Sequence, residues 1–433
     1  MLICVKNSSL KAGKMSHFKS EFFNIMLERG FYNQCTNEEG FDQYLSECEQ
    51  KGTPAVGYLG SDPTGDSLHV GHIVPLMMMR WFQKCGHKPL TLVGGATARI
   101  GDPSGKDKLR PFLSEETLAH NIEGLKKSFG KFLKFGDGRN DAVMVDNWDW
   151  FKDINYLSFL RDIGTYYSVN RMLTMDSVKS RLDREQPMSF LEFNYMLLQG
   201  YDFCELYRKY GCRAQIAGSD QWGNITSGTE LGRRKYDVEL FGFTSPIITD
   251  SAGRKMGKSE GNAVWINEDK LPAYDYYQYF RNIGDAEVGK CLRIYTDLPM
   301  DEIRRLEDLK DQEINEAKKI LAFEATKICR GFDEAKAAEE TAVKTFEQGG
   351  IGGELPTLEK DNITGLSVLD AFVEIGFCAS KGEVRRLIKQ NGIRVNDRAI
   401  SDENYVFDES DIVDGQIKIA QGKKKFGLIK QAG

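Results

Sequence analysis

The chain has 433 residues, 41% apolar and 11% aromatic, with 58 basic against 64 acidic side chains and a net charge of −6. That length holds about two to four domains with proper cores, and no apolar run approaches the ~20 residues of a membrane span. The nine cysteines (Cys4, Cys35, Cys48, Cys85, Cys204, Cys212, Cys291, Cys329 and Cys378) form no C-x-x-C pair and are odd in number. A disulfide framework or zinc cage is therefore unsupported, and a reducing compartment fits best. The mild acidity leaves a nucleic-acid partner open, because a local basic surface decides that question.

The first twenty residues carry Lys6, Lys11, Lys14 and Lys19 and no acid. They lack the arginines and clear amphipathic face of a transit peptide, so residues 1–15 read as an extension before the internal Met15, or as a disordered end. Residues 20–50 follow as an amphipathic helical stretch, with Phe22, Ile25, Met26 and Leu27 apolar among polar neighbours.

Residues 58–72 organise what comes next. An apolar run from Val56 to Leu59 breaks at Gly60, Asp62, Pro63 and Gly65 and ends in His69-Val70-Gly71-His72, ahead of an apolar, Met-rich run from Ile73 to Phe82. The pattern predicts strand, tight turn and helix, with both histidines at the helix N-terminus, where unpaired N–H groups and the dipole favour phosphate. His69 and His72 are three apart and share a face, and Gly71 between them lets a flat ligand approach. Taken alone, such a pair also reads as helix capping or packing.

Leu90 to Val93 predicts a buried strand running into Gly94-Gly95, and Asp102 follows beside Pro103. This is the way a doubly wound sheet meets a ligand, although a turn explains Asp102 as well. Lys106 and Arg110 come next. Ala142–Val145 reads as a short strand ending at Asp146-Asn147-Trp148, and residues 154–184 have helical spacing. Residues 189–203 read as one helix on which Tyr195, Gln199 and Asp202 recur at steps of four and three, forming a polar stripe suited to a pocket wall or a half-exposed face. Gln215 opens another strand into Gly218, Asp220 and Gln221, and Lys255-Met256-Gly257-Lys258-Ser259 lies between Gly253 and Gly261. This alternation from about residue 54 to 248 predicts a parallel α/β sheet.

Beyond residue 262 the chain turns helical and charged. Gly349-Gly350-Ile351-Gly352-Gly353 marks a joint, and residues 366–433 form a compact unit. Ser380 with Glu383 is a capping-box pattern opening a helix. Residues 381–398 carry six bases (Lys381, Arg385, Arg386, Lys389, Arg394 and Arg398) against two acids. That concentration suits an RNA backbone, with a solvated helix as the alternative.

Together these stretches resemble the bacterial-type tyrosyl-tRNA synthetases, a class I aminoacyl-tRNA synthetase family, from about residue 16 to the end. The histidine and lysine motifs resemble the class signatures H-I-G-H and K-M-S-K-S. The resemblance also rests on V-G-G-A-T followed by I-G-D-P-S-G-K, on L-L-Q-G-Y-D-F, on G-S-D-Q-W-G-N-I-T-S-G and on an S4-like RNA-binding tail. It implies a Rossmann-like catalytic domain at 16–260, an α-helical anticodon-stem domain at 261–348, a linker at 349–365 and a small α+β S4-like domain at 366–433.

The implied reaction joins L-tyrosine and ATP into tyrosyl-adenylate, then charges tRNA(Tyr), in a cytoplasmic homodimer, an organellar form being the alternative. Thr64, His69, His72, Lys106, Arg110, Lys255, Lys258 and Ser259 would act at the phosphates, with Mg²⁺ bridging phosphate oxygens. Tyr58 and Asp202 would meet the phenol, Asp102, Tyr195 and Gln199 the α-ammonium, and Asn147, Gln215 and Gln221 would complete the tyrosine site. Gly60, Asp62, Gly71, Gly218 and Asp220 would hold the adenylate, and Lys381, Arg385, Arg386, Lys389 and Arg394 the RNA. A pocket that hydrogen-bonds the phenol rejects phenylalanine, and this enzyme family is itself the standard example. Gly257 in place of serine, Leu59, Ser61, Ala98, Ala217 and Pro75 depart from the family pattern without removing a charge or hydroxyl from these roles.

Overall fold

A computed structural model describes residues 18–102, 113–249, 253, 256–259, 262–346, 355–413, 415–422 and 425–431. It separates into two compact units, one of residues 1–272 with 279–330, the other of 273–278 with 331–433.

Among the described residues of the first unit, six strands make one sheet: β1 (Gln34–Cys35), β2 (Val56–Ser61), β3 (Lys88–Val93), β4 (Val143–Asp146), β5 (Ala214–Gly218) and β6 (Phe241–Ser245). Their order is β1-β6-β5-β2-β3-β4, parallel throughout except for the antiparallel edge pair β1–β6. The α/β expectation holds. The strands are near-continuous apolar runs because helices cover both faces of the sheet. On one face Tyr58, Leu90, Leu92 and Val145 pack with Phe203 and Leu206 of the helix Phe190–Tyr210. On the other, Phe82 of the helix Val70–Lys84 lies against Gly57. After β2 the chain runs outward to β3 and β4, and later returns to the far side of β2 to lay down β5 and β6. That reversal leaves a crevice at the carboxyl ends of β2 and β5.

Two stretches depart from the expected elements. Residues 20–50 form two helices, Glu21–Glu28 and Glu38–Lys51, parted by Gly30 at φ +78° and by β1. The left-handed glycine ends the first helix, and Asn37 caps the second by accepting from Gly40 N–H (3.0 Å). Residues 154–184 hold three short helices, Tyr156–Asp162, Val169–Met172 and Asp176–Asp183. The unit continues through the helices Val288–Tyr295, Met300–Glu307 and Ile314–Arg330. Arg29 joins them to the sheet region. Its guanidinium stacks 4.2 Å from the Trp81 ring and donates to the carbonyls of Arg293, Thr296 and Leu298.

The second unit contains the sheet β11-β10-β12-β13-β9, built from β9 (Thr357–Lys360), β10 (Ile393–Val395), β11 (Arg398–Ala399), β12 (Gln416–Gln421) and β13 (Lys425–Gln431). The helices Val368–Glu374 and Lys381–Lys389 share its core with Phe372, Val384, Ile388, Ile393, Ile419 and Ile429. Part of the stretch read as a joint, Thr357–Lys360, lies parallel to β13 as an edge strand. Four residues with one polar, half-solvated face carry too little pattern to declare themselves. Ser380 Oγ accepts from Glu383 N–H (3.3 Å), but the Glu383 carboxylate reaches back to Ala379 N–H (2.9 Å), one residue further than a capping box.

Candidate active site

The crevice has an inner, buried end and an outer, exposed end. At the inner end Asp202 is 1% exposed, and its carboxylate accepts from Trp150 Nε1 (2.8 Å) and Asn147 Nδ2 (3.1 Å). Burial pushes its pKa well above the usual carboxylate range, against the pull of those two donors. Asn147 also donates to Thr97 Oγ1 (3.1 Å), and Thr97 donates to Asp62 Oδ1 (2.7 Å). Tyr195 OH donates to the other Asp62 oxygen (3.0 Å). Burial, with Asp62 and Asp102 nearby, holds the Tyr195 phenol far above its ordinary pKa. A separate run joins Asn224 to Gln221 Oε1 (3.0 Å) and Gln221 Nε2 to Asp102 (3.1 Å) and Asp220 (3.4 Å).

Three buried polar atoms, Tyr58 OH, Gln199 Oε1 and Gln215 Oε1, have no hydrogen-bond partner among the described residues. Tyr58 and Gln215 are register partners on β2 and β5, and the Asp202 charge adds to the burial that raises the Tyr58 phenol's pKa. Gln199 stands on the same helix, three residues before Asp202. Unpaired buried acceptors and hydroxyls are costly, so their grouping beside an aspartate describes a pocket for a ligand that carries polar groups. Gly94 and Gly95 line the approach because a Cβ at either would overlap the Asp62 or the Asp146 carboxylate.

At the outer end Gly60 is exposed at the tip of β2, and Thr64 is exposed beyond it, its N–H bonded to Asp62 O (2.8 Å). His69 caps the Val70–Lys84 helix. Its Nδ1 accepts from Gly71 N–H (3.0 Å), while His72 Nδ1 accepts from His69 N–H (3.3 Å). Acceptance at Nδ1 places the proton on Nε2 of each neutral ring. The rings lie 3.9 Å apart, and Trp265 meets His69 edge-on. The capping reading of the histidines therefore holds, and it sets both rings at the helix N-terminus.

The lysine motif returns to this point through its backbone. Gly257 has φ +83°, and a Cβ there would come within 2.8 Å of Gly71 N; Met256 O borders Gly71 in turn. Lys258 and Ser259 form a two-residue strand antiparallel to Asn262–Ala263. Only their backbone is described, and Lys106, Arg110 and Lys255 lie outside the described residues.

Thr97 and Trp150, which carry the hydrogen-bond chain around Asp202, went unnoticed in the sequence. Trp150 stands three residues after Asn147, one helical turn away, and that spacing was the available signal. In the second unit Lys381, Arg385, Arg386, Lys389 and Arg394 are all exposed. Lys381 pairs with Asp370 (2.5 Å) and Arg385 lies 3.9 Å from Glu403, while among the described residues Arg386, Lys389 and Arg394 have no carboxylate within ion-pair distance.

Comparison with known proteins agrees with this geometry. Residues 50–347 match the family model of tRNA synthetases class I (W and Y), and residues 346–429 match that of the tyrosine–tRNA ligase SYY-like C-terminal domain. The tyrosine–tRNA ligase of Rhodospirillum rubrum is 52% identical over 415 residues, 95% of this chain and 98% of that one. That of Wolbachia sp. subsp. Brugia malayi is 53% identical over 414 residues, with 95% and 98% covered. Among solved structures, a C-terminally truncated Aspergillus nidulans mitochondrial tyrosyl-tRNA synthetase superposes with a TM-score of 0.67 at 29% identity, covering 75% of this chain and 94% of that one. On these matches the chain belongs to the class I tRNA synthetases and, among them, to the tyrosine–tRNA ligases.

Proposed function

We propose that the chain condenses L-tyrosine with ATP, giving tyrosyl-adenylate and pyrophosphate, and then passes the tyrosyl group to the terminal ribose of tRNA(Tyr), releasing AMP. The observation that carries the amino-acid assignment is the buried, unpartnered Tyr58 hydroxyl near Asp202. A tyrosine phenol entering there meets an acceptor and a hydroxyl, whereas phenylalanine leaves the Tyr58 hydroxyl unpaired and gives the Asp202 carboxylate no further donor. Asp102, Tyr195 and Gln199 receive the α-ammonium, and Asn147, Gln215 and Gln221 complete the pocket.

The first step is in-line attack by the tyrosine carboxylate on the α-phosphorus, with pyrophosphate departing. Its cost lies in charge building on phosphate oxygens. The helix start at Gly71, with His69 and His72, supports that charge, and Thr64 donates to the leaving group. Lys258 and Ser259 follow the backbone turn that borders Gly71, and Lys255, Lys106 and Arg110 add positive charge for the phosphates. Gly60, Asp62, Gly218 and Asp220 hold the adenylate. Among the described residues no three His, Cys, Asp or Glu side chains are grouped to hold a metal. Mg²⁺ bound to the triphosphate would neutralise its oxygens.

The proposal assigns catalysis to residues 16–260, anticodon-stem contact to 261–348 and RNA backbone contact to the basic helix and strand beyond 366, with residues 1–15 an extension and a joint near 349–365. A cytoplasmic setting, with an organellar one as the alternative, belongs to this reading; no helix among the described residues is long and apolar enough to cross a membrane. Exposed apolar side chains supporting a homodimer gather between residues 156 and 190: Tyr156, Leu157, Val169, Leu173, Leu182 and Phe190.

Pyrophosphate exchange with each amino acid in turn tests the assignment. Tyrosine alone should drive exchange; exchange driven by tryptophan, or by no amino acid, overturns it.

A further inference from the structure

Three stretches of chain meet beneath the histidine turn, and one side chain joins them. The segment leaving the lysine loop runs antiparallel to the chain entering the histidine motif. Val70 N–H donates to Val264 O (2.8 Å), Ile266 N–H to Leu68 O (2.9 Å) and Asn267 N–H to Ser67 Oγ (3.1 Å). The Asn267 side chain, in a residue 2% exposed, then reaches the third stretch. Its amide donates to Asp66 O (2.9 Å) and to Gly124 O (3.0 Å), and its carbonyl accepts from Ser128 Oγ (2.9 Å). Ser128 Oγ also accepts from Leu68 N–H (3.2 Å). Gly124 and Ser128 belong to the helix Glu115–Gly130, which seats against the turn so closely that a Cβ at Gly124 would overlap Asp66 O. From outside, Lys270 (2.7 Å) and His120 (3.3 Å) hold the Asp66 carboxylate.

The pattern of donors and acceptors selects asparagine. Two backbone carbonyls need donors and one hydroxyl needs an acceptor, all in a dry site. An aspartate would face the two carbonyls with its own oxygens, and an alanine would leave them unpaired.

We propose that Asn267 is a positioning residue for the adenylation step. It fixes the register between the histidine turn and the segment leaving the lysine loop, so the loop's charge arrives where the helix start holds the phosphates. None of its hydrogen-bond partners belongs to the buried tyrosine pocket, and its role rests on the function proposed above.

The test uses the full chain with Asn267→Ala or Ser128→Ala. Pyrophosphate exchange is followed over ATP concentration, and tyrosine affinity by equilibrium dialysis. Misplacing a reacting group by about 1 Å costs about a hundredfold, so Asn267→Ala should lower kcat about tenfold to a hundredfold while tyrosine Kd stays within about twofold. Ser128→Ala, which keeps the amide donors, should show the same split at smaller amplitude. Placed in a Lys258→Ala background, Asn267→Ala should cost little more, because its effect runs through that loop. Unchanged kcat in both variants, equal losses in kcat and tyrosine affinity in Ser128→Ala, or full additivity with Lys258→Ala overturns the proposal. Absence of tyrosine-driven exchange in the unaltered chain would instead sink the reading of function beneath it.

Discussion

The two ends of the crevice are built from different materials. The inner end is made of side chains: Asp202, Asn147, Thr97, Asp62 and Tyr195 hold one another in a buried chain, and three polar atoms beside them stay unpaired. The outer end is made largely of backbone. Capping bonds at His69, the close approach of Gly257 to Gly71 and the Val264–Asn267 pairing shape it, with the imidazoles at the surface. Selection of one amino acid depends on what stays unsatisfied when the wrong one binds, which requires a dry interior. Handling a triphosphate depends on N–H groups and cations set against charge that appears only during reaction, and these work at a solvent-facing helix start. In the proposed roles one end discriminates and the other accelerates, so substitutions should separate the two.

The sharpest separation is expected from Lys258→Ala. Loss of one charge-stabilising group should lower kcat for exchange on the order of 10²–10³-fold while equilibrium dialysis finds tyrosine affinity unchanged. A comparable loss of affinity would merge the two ends. Asp202→Ala should do the converse. It removes the acceptor that the phenol meets, worth about 1–3 kcal/mol, so tyrosine affinity should fall ~5- to 150-fold and preference over phenylalanine should shrink. The ATP concentration for half-maximal exchange should hold steady, and a shift in it would count against the division.

Charge reversal at Arg386, Lys389 and Arg394 extends the comparison to the second unit. Charging of tRNA should weaken about tenfold or more, and the salt slope of tRNA binding should flatten by about 0.7–0.9 for each phosphate that is no longer neutralised, with exchange untouched. Charging at the unaltered rate would remove these bases from the RNA surface. The smallest effect is the most pointed. Tyr58→Phe deletes a buried hydroxyl that has no partner in the free protein, so stability should rise by about 1 kcal/mol and Tm by a few degrees, while discrimination against phenylalanine declines. If the variant melts lower, the hydroxyl has a partner in the free protein after all.

Much of this architecture could be read from residue order. The runs at Val56–Leu59 and Leu90–Val93 are buried on both faces and therefore continuously apolar, and the glycines that end them mark where a ligand approaches. The helix carrying Tyr195, Gln199 and Asp202 declared its polar stripe through spacing alone, whereas the capping box that Ser189 and Glu192 form at its start was not read. Other features left no local trace. β1 and β9 are two and four residues long, too short for a period to show. Trp150 looked like one more aromatic until Asp202, 52 residues away, came within hydrogen-bond distance.

By itself, then, the sequence settled the elements with strong local periodicity and the two signature motifs, because these depend on neighbours within a few positions. Tertiary structure alone decided which polar groups are dry, which are already paired and which face each other unpaired. It also decided that Asn267, 143 residues beyond Gly124 in the chain, fastens the helix there to the turn before the histidines. Burial and hydrogen-bond satisfaction are properties of residues brought together from distant parts of the chain, and no window of sequence contains them.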